Sequence, residues 1–352
     1  MRSVIVGGTF GEAKSSSIVT VLAKSLEIER VINGGSFEEL NVDISDSDFT
    51  IWMPNVTNEE EKTYPKKKVG SFLVCSKVMR EGYGLDVPIS RIFKMHANAV
   101  IAIDSSRKPF TFQLLDALGN SWIKTSDISE LARAIQKLYL WSKEQIRYKS
   151  EESNLLAAER KMQVGTFHPF ENQEFIDLVK LVADKVEAAN VGRFFGNAST
   201  RCFKMFPSMR DDNHIYVSPR DIDKKRIAIE DMVLTMDHIP SRTLYYLGSK
   251  KPSVDAPIQS LLYHLFPLNY MIHGHSYVEG APFTKAYYPC GDMREVEEIA
   301  SLIELEHLHG ARNDGVLNLK NHGFLFYAEK IEELQSLIEK AKFQSRTLGE
   351  EV

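Results

Sequence analysis

Four short apolar runs rich in β-branched residues punctuate the first part of this chain: SVIVGG (3–8), DFTIWMPN (48–55), GSFLVCS (70–76) and NAVIAIDSS (98–106). Helical stretches alternate with them. SSSIVTVLAKSL (15–26) reads as a helix, and Ile128, Leu131, Ile135 and Leu138 recur at helical spacing behind Ser126 and Asp127, residue types that cap helix starts. Strands apolar on both faces need both faces covered, which parallel βα units achieve. The pattern predicts an α/β domain with a doubly wound, mostly parallel, Rossmann-like sheet over residues 1–148.

The grammar then changes. SKEQIRYKSEESNLLAAERK (142–161) is dense in charge and poor in apolar pattern, which predicts an exposed charged linker over 149–164. A second domain over 165–352 follows, because 352 residues exceed what one core usually serves. Phe175, Leu178, Val179, Val182 and Val186 mark an amphipathic helix, and HIYVSP (214–219), RTLYYLG (242–248), LNYMIH (268–273) and GFLFYA (323–328) read as strands.

Composition narrows the function. The net charge of −5 offers no basic excess for nucleic acid or an anionic membrane surface, and no apolar run approaches a membrane span. MRSVIVGG enters a strand without a secretory signal. Cys75, Cys202 and Cys290 stand singly and read as buried thiols in a reducing cytoplasm. A cytoplasmic protein with neither nucleic-acid nor membrane partners is expected.

VIVGGTFGEAKSSS (4–17) sets Gly7, Gly8 and Gly11 between a strand and a helix, followed by Lys14, Ser15 and Ser16. Glycines there let backbone N–H groups approach a phosphate or nucleotide; they equally suit a tight βα turn. The spacing matches neither GxGxxG nor a Walker A loop, so both readings stay open. WMPNVTN (52–58) lies where the next strand should end, on the edge where open α/β sheets bind ligands.

NYMIHGHSYVEG (269–280) holds His273 and His275 in a run that reads as a strand, where i and i+2 share a face. A metal site needs further ligands. A second HxH pair, His307 and His309, falls in a helical pattern, where i and i+2 diverge, and reads as a solvated face.

The wider setting supplies partners. GNASTR (196–201), IYVSPRDIDKK (215–225), KPSVDAPIQ (251–259), HGHS (273–276) and KNHG (320–323) occur in that order. Taken together they resemble the class II aldolase/adducin family, over about residues 170–345. The resemblance implies an α/β/α class II aldolase-like domain with metal ligands His273, His275 and His322, and a divalent ion, zinc most often. It makes Asp255 the acidic residue that moves the proton, although an acidic residue at a helix start also favours the helix dipole. It implies phosphate contacts from Gly196, Asn197, Ser199, Ser218 and Ser253, and a homo-oligomer, a tetramer by analogy with the family's members.

The sequence also departs from the family. Arg220 and Asp221 replace a Ser-Gly pair and Val254 replaces a serine. Arg220 suits a bidentate anion contact or a plain surface turn. The segment between HGHS and YPC (288–290) is short, and no tyrosine there matches the family's proton donor. The leading expectation is a metal-dependent carbon–carbon lyase acting on a small phosphorylated sugar or ketose through a metal-stabilised enediolate. An epimerase or dehydratase of the same family is the first alternative, and a non-catalytic adducin-like protein the second.

Overall fold

The computed structural model describes residues 2–7, 15–33, 46–53, 71–106, 108–153, 172–186, 189–190, 193–194, 196–202, 214–308 and 314–352. The chain divides into two compact units, Met1–Glu144 with Thr347–Val352, and Gln145–Arg346.

The first unit is a seven-stranded sheet in the order β2-β1-β3-β4-β5-β6-β7. Its strands are β1 (Ser3–Gly7), β2 (Arg30–Asn33), β3 (Phe49–Met53), β4 (Phe72–Met79), β5 (Ala99–Asp104), β6 (Thr111–Asp116) and β7 (Ser121–Thr125). Pairing is parallel from β2 through β5, and β6 and β7 close the sheet antiparallel. Every residue of β3 is buried, as an interior strand covered on both faces requires. Helices α1 (Ser15–Ser25) and α3 (Ile128–Lys143) pack into one core with Ile51, Val74 and Ile101. Helix α2 (Asp86–Met95) packs against β4 and β5 with Ile89, Ile92 and Met95 buried. The predicted stripe of α3 goes inward, and Asp127 caps it, accepting a 2.7 Å hydrogen bond from Ser129 N.

Strand order reverses beside β1, so the carboxyl ends of β1 and β3 border a switch point. Gly7 ends β1, and a Cβ there would lie 2.5 Å from Val19 Cγ2, so close strand–helix packing already demands glycine. Ser15 and Ser16 open α1. Gly8, Gly11, Lys14 and residues 54–58 lie outside the described residues.

The chain's last residues complete this unit. Ser121 N donates to Glu350 O at 2.7 Å and Val352 N donates to Ser121 O at 3.1 Å. The expected division into consecutive halves is corrected on this point. It is corrected at the linker too: Lys149–Glu152 form β8, which pairs parallel with β14 (Thr243–Tyr246) in the second unit's sheet. Residues 154–164 lie outside the described residues.

The second unit carries an eight-stranded sheet in the order β17-β18-β15-β11-β12-β13-β14-β8. The remaining strands are β11 (Asn197–Arg201), β12 (His214–Val217), β13 (Val233–His238), β15 (Tyr270–Gly274), β17 (Asp314–Leu319) and β18 (Gly323–Ala328). Their pairings are antiparallel. Alternate residues feed two cores. Ile272, Phe324 and Phe326 meet helices α4 (Gln173–Lys185) and α7 (Ile331–Lys340). Met271, Leu325 and Tyr327 meet α5 (Ala256–Leu265) and α6 (Glu295–Leu308). The result is an α/β/α sandwich. Two short ribbons complete it, β9 (Ala189–Asn190) with β10 (Arg193–Phe194), and β16 (Ser276–Val278) with β19 (Phe343–Ser345). Among the described residues, no helix is long and apolar enough to cross a membrane.

Candidate metal centre

His273 sits on β15 in register with Asn197 of β11 and Leu325 of β18. Leu325 belongs to the α5/α6 core, so the strand pleat delivers His273 to that face. The strand ends at Gly274. His275 occupies the bend before β16, so the expected single strand carrying both histidines is corrected. The bend still brings the rings together, with centroids 5.1 Å apart.

His322 arrives from the turn between β17 and β18. A Cβ on Gly323 would collide with Gly274 O, so only glycine lets this turn press against the bend that holds His275. The His322 ring centroid lies 4.7 Å from that of His273 and 5.1 Å from that of His275. One ring nitrogen from each of the three lies within 4.8 Å of the others.

Hydrogen bonds at the back of the rings decide which nitrogens face inward. His273 Nδ1 is 2.8 Å from Phe324 O; a carbonyl only accepts, so Nδ1 carries the proton and Nε2 a lone pair. That Nε2 is buried and has no hydrogen-bond partner among the described residues. His322 Nδ1 lies 3.1 Å from Glu295 Oε1. Burial holds His273 down at about 4, with His322 the second cause, and burial likewise holds His275 well below the usual histidine range. Both are neutral near pH 7, the form that ligates metal. An orphaned buried nitrogen costs about 1–3 kcal/mol. The donor set therefore fits a divalent ion, which imidazoles hold readily.

Asp255 stands beside this cluster as the residue before α5, yet it makes no side-chain cap to the helix. Its Oδ1 accepts from Gly291 N at 2.6 Å and its Oδ2 accepts from Asn197 Nδ2 at 3.0 Å. A cavity behind the triad is lined by Asp255, Gln259, His273, Glu295, His322 and Leu325.

The residues expected to hold phosphate are turned largely onto the protein itself. Gly196 has φ +79° and leaves no room for a Cβ beside His273 O. Ser199 is fully buried and shares a 2.9 Å hydrogen bond with Tyr263 OH. Ser218 Oγ accepts from Ala198 N, and Ser253 Oγ accepts from Asp255 N. Exposed Arg220 donates through Nε to Pro252 O at 2.8 Å and through Nη2 to Ser150 Oγ at 3.4 Å. Ser218, Arg220 and Ser253 are nevertheless neighbours, because Pro219 bridges Pro252 and Ser253 N donates to Ser218 O. His307 falls in α6, and His309 lies outside the described residues.

Three residues at the site escaped the sequence reading. Glu295, the first residue of α6, is 2% exposed, and burial followed by the charge of Asp255 pushes its carboxyl well above the usual range. Cys290, expected to be an ordinary buried thiol, has Sγ 3.3 Å from His322 Nε2. Lys224 opens a 3-10 turn, is 5% exposed, and its Nζ has no hydrogen-bond partner among the described residues. Burial draws its ammonium down from 10.5 to about 8, against the opposing charges of Asp221, Asp255 and Asp223. Its charge is also felt at His275. The only signal available was DIDKKRIAIED (221–231), where one lysine of a polar run turns inward.

No protein-family model and no curated protein matches the chain. Solved structures of class II aldolase-family proteins match about half of it. An L-fuculose 1-phosphate aldolase is 18% identical, covers 48% of this chain and 79% of its own, and has a TM-score of 0.35. The N-terminal class II aldolase domain of a conserved protein from Thermoplasma acidophilum is 13% identical, with 50% and 92% covered and a TM-score of 0.33. An aldolase II superfamily protein from Pseudomonas syringae is 15% identical, with 51% and 74% covered and a TM-score of 0.32.

Proposed function

We propose that the unit Gln145–Arg346 is a divalent-metal lyase of the class II aldolase type, acting on a small phosphorylated sugar or ketose through an enediolate. One observation carries the reading: the buried, unpartnered Nε2 of His273 clusters with the imidazoles of His275 and His322 beside the Asp255 carboxylate. His273, His275 and His322 would hold the ion, zinc by the family resemblance. When bound, it would supply Lewis-acid polarisation of a carbonyl and so acidify the neighbouring C–H bond.

The chain's own groups account for the rest. Asn197 and Gly291 fix the Asp255 carboxylate at both oxygens, leaving each with lone pairs to accept a substrate proton. Glu295 Oε1, 3.1 Å from His322 Nδ1, holds that ring so that Nε2 faces the cluster. Lys224 brings a cation into a buried setting where substrate phosphate or carboxylate would be its partner. Ser218, Arg220 and Ser253 offer the remaining anion contacts. Assembly as a homo-oligomer belongs to the same reading. In the first unit, the carboxyl edge at β1 would take a phosphate or nucleotide.

The test starts from the full chain purified without chelators. Elemental analysis should find one zinc or other divalent ion per chain, removed by chelator dialysis. Incubation with a panel of ketose phosphates in deuterated water should give metal-dependent exchange of the α-proton. A chain without bound metal that also shows no exchange after zinc addition rules the reading out and favours the non-catalytic alternative.

A further inference from the structure

The segment leading into α6 carries a group that the three histidines and Asp255 do not explain. Cys290 Sγ lies 3.3 Å from His322 Nε2, the nitrogen that Glu295's hold on Nδ1 directs inward. Asp255, Cys290 and His322 each present one donor atom within 4.8 Å of the others, as the three histidines do, and the two groups share His322. The independent sign of a missing ligand is His273 Nε2, buried on a residue only 5% exposed and without a partner.

The loop is built to hold the sulfur there. Gly291, the next residue, donates to Asp255 Oδ1 at 2.6 Å. It adopts φ +76°, and its absent Cβ would lie 2.6 Å from Val254 Cγ1, so only glycine lets the loop close onto the start of α5. Asp292 N donates to Pro289 O at 3.1 Å, and Arg294 holds the Asp292 carboxylate at 2.7 Å. Cys75 gives the contrast: it is 0% exposed within a sheet, and its Sγ donates to a backbone oxygen, Ala99 O, at 3.5 Å.

We propose that Cys290 is a sulfur ligand to the same ion that His273, His275 and His322 hold, which makes this a site for zinc rather than for magnesium or manganese. The inference rests on the metal reading above. Thiolate and imidazole together suit zinc, whereas the hard ions take oxygen donors. On binding, the S–H bond breaks, the proton leaves to solvent and the sulfur lone pair is donated to the cation; nothing is oxidised or reduced.

Cobalt(II) substitution of the full chain tests this by spectrum, independently of turnover. Metal-free protein titrated with cobalt should develop visible d–d bands and a near-ultraviolet sulfur-to-cobalt charge-transfer band, saturating together. Cys290→Ser should keep the d–d bands, lose the charge-transfer band and bind cobalt about tenfold or more weakly; even a ligand's outer hydrogen-bond partner is worth roughly 10–100-fold. The chain has three cysteines, so Cys75→Ser/Cys202→Ser, which retains Cys290 alone, should keep the band. That double variant decides the matter even if Cys290→Ser fails to fold. Cobalt bound with d–d bands and no charge-transfer band overturns the role of Cys290 and leaves the metal reading intact. A charge-transfer band that persists in Cys290→Ser or vanishes in the double variant overturns it equally. Failure to bind cobalt at all overturns both.

Discussion

Asp255 holds the position of a helix cap without acting as one. Both its oxygens are engaged from outside the helix, by Asn197 and Gly291. Asparagine at this place keeps one acceptor oxygen but sets its NH2 against one of those two donors, and it cannot take a proton from carbon. Asp255→Asn should therefore lower α-proton exchange and turnover by about 10²-fold or more, while metal content, held by three imidazoles, changes less. Wild-type exchange in the metal-loaded variant would take Asp255 out of the chemistry. Lys224 permits a second argument. Its ammonium is charged in both states below pH about 8, and there the folded state carries the whole desolvation cost. Between about 8 and 10.5 the folded group is neutral while the unfolded one still binds a proton, so its penalty fades as pH rises. Lys224→Met should thus raise thermal stability near pH 7, by at most about 3 kcal/mol, lose that advantage by about pH 10.5, and raise KM for an anionic substrate. Scanning calorimetry across pH checks the first part, and an advantage independent of pH would refute it. The histidines and Asp255 were legible because five ordered motifs fix their neighbours. Glu295, Cys290 and Lys224 were not, since each is an isolated residue of a common type that only the fold brings to the site.

At the scale of elements, GNASTR gains a mechanical meaning that spacing alone did not reveal. Alternate residues of β11 share one face, and all three bind α5 or its threshold. Asn197 takes Asp255, Ser199 meets Tyr263 OH, and Arg201 donates to Phe266 O at 2.9 Å and also to Tyr263 O. Two residues expected to grip phosphate instead lash the helix that presents Asp255. The turn between β17 and β18 carries a comparable constraint. Because a Cβ on Gly323 would meet the Gly274 backbone rather than a yielding side chain, Gly323→Ala must part the turn from the bend and move His322 away from His275. Overpacking commonly costs 1–3 kcal/mol, and rigid backbone puts this case at about the upper end. Reduced zinc stoichiometry at a temperature where circular dichroism still reports a folded chain is the expected result. A variant with full zinc content and unchanged melting would show that the close approach is not needed. The break at His275 was hidden from sequence because NYMIHGHSYV keeps strand-like residues straight through it.

For the whole molecule, where the units divide matters more than how many there are. Charge density marked 149–164 as a linker, yet Lys149–Glu152 are an edge strand of the second sheet, and polar side chains suit such an edge. The residues just before them reach the candidate site. Met293 N donates to Ile146 O at 2.8 Å, Ile146 N lies 3.4 Å from Asp292 Oδ1, and Ile146 and Tyr148 pack on the α5/α6 core. The segment that carries Cys290, Gly291 and Glu295 is therefore braced from residues 146–148. A fragment starting at residue 165 lacks that brace and strand β8, and it keeps the tail Thr347–Val352, which belongs with Ser121 to the first unit. Residues 145–346 expressed alone should fold and retain zinc close to the stoichiometry of the full chain. Residues 165–352 should melt lower and bind zinc more weakly, as titration against a chromogenic chelator would report. Equal affinity in the two fragments would mean that the 146–148 brace contributes nothing to the site. Loss of zinc from both, with the full chain loaded, would mean that the second unit depends on the first.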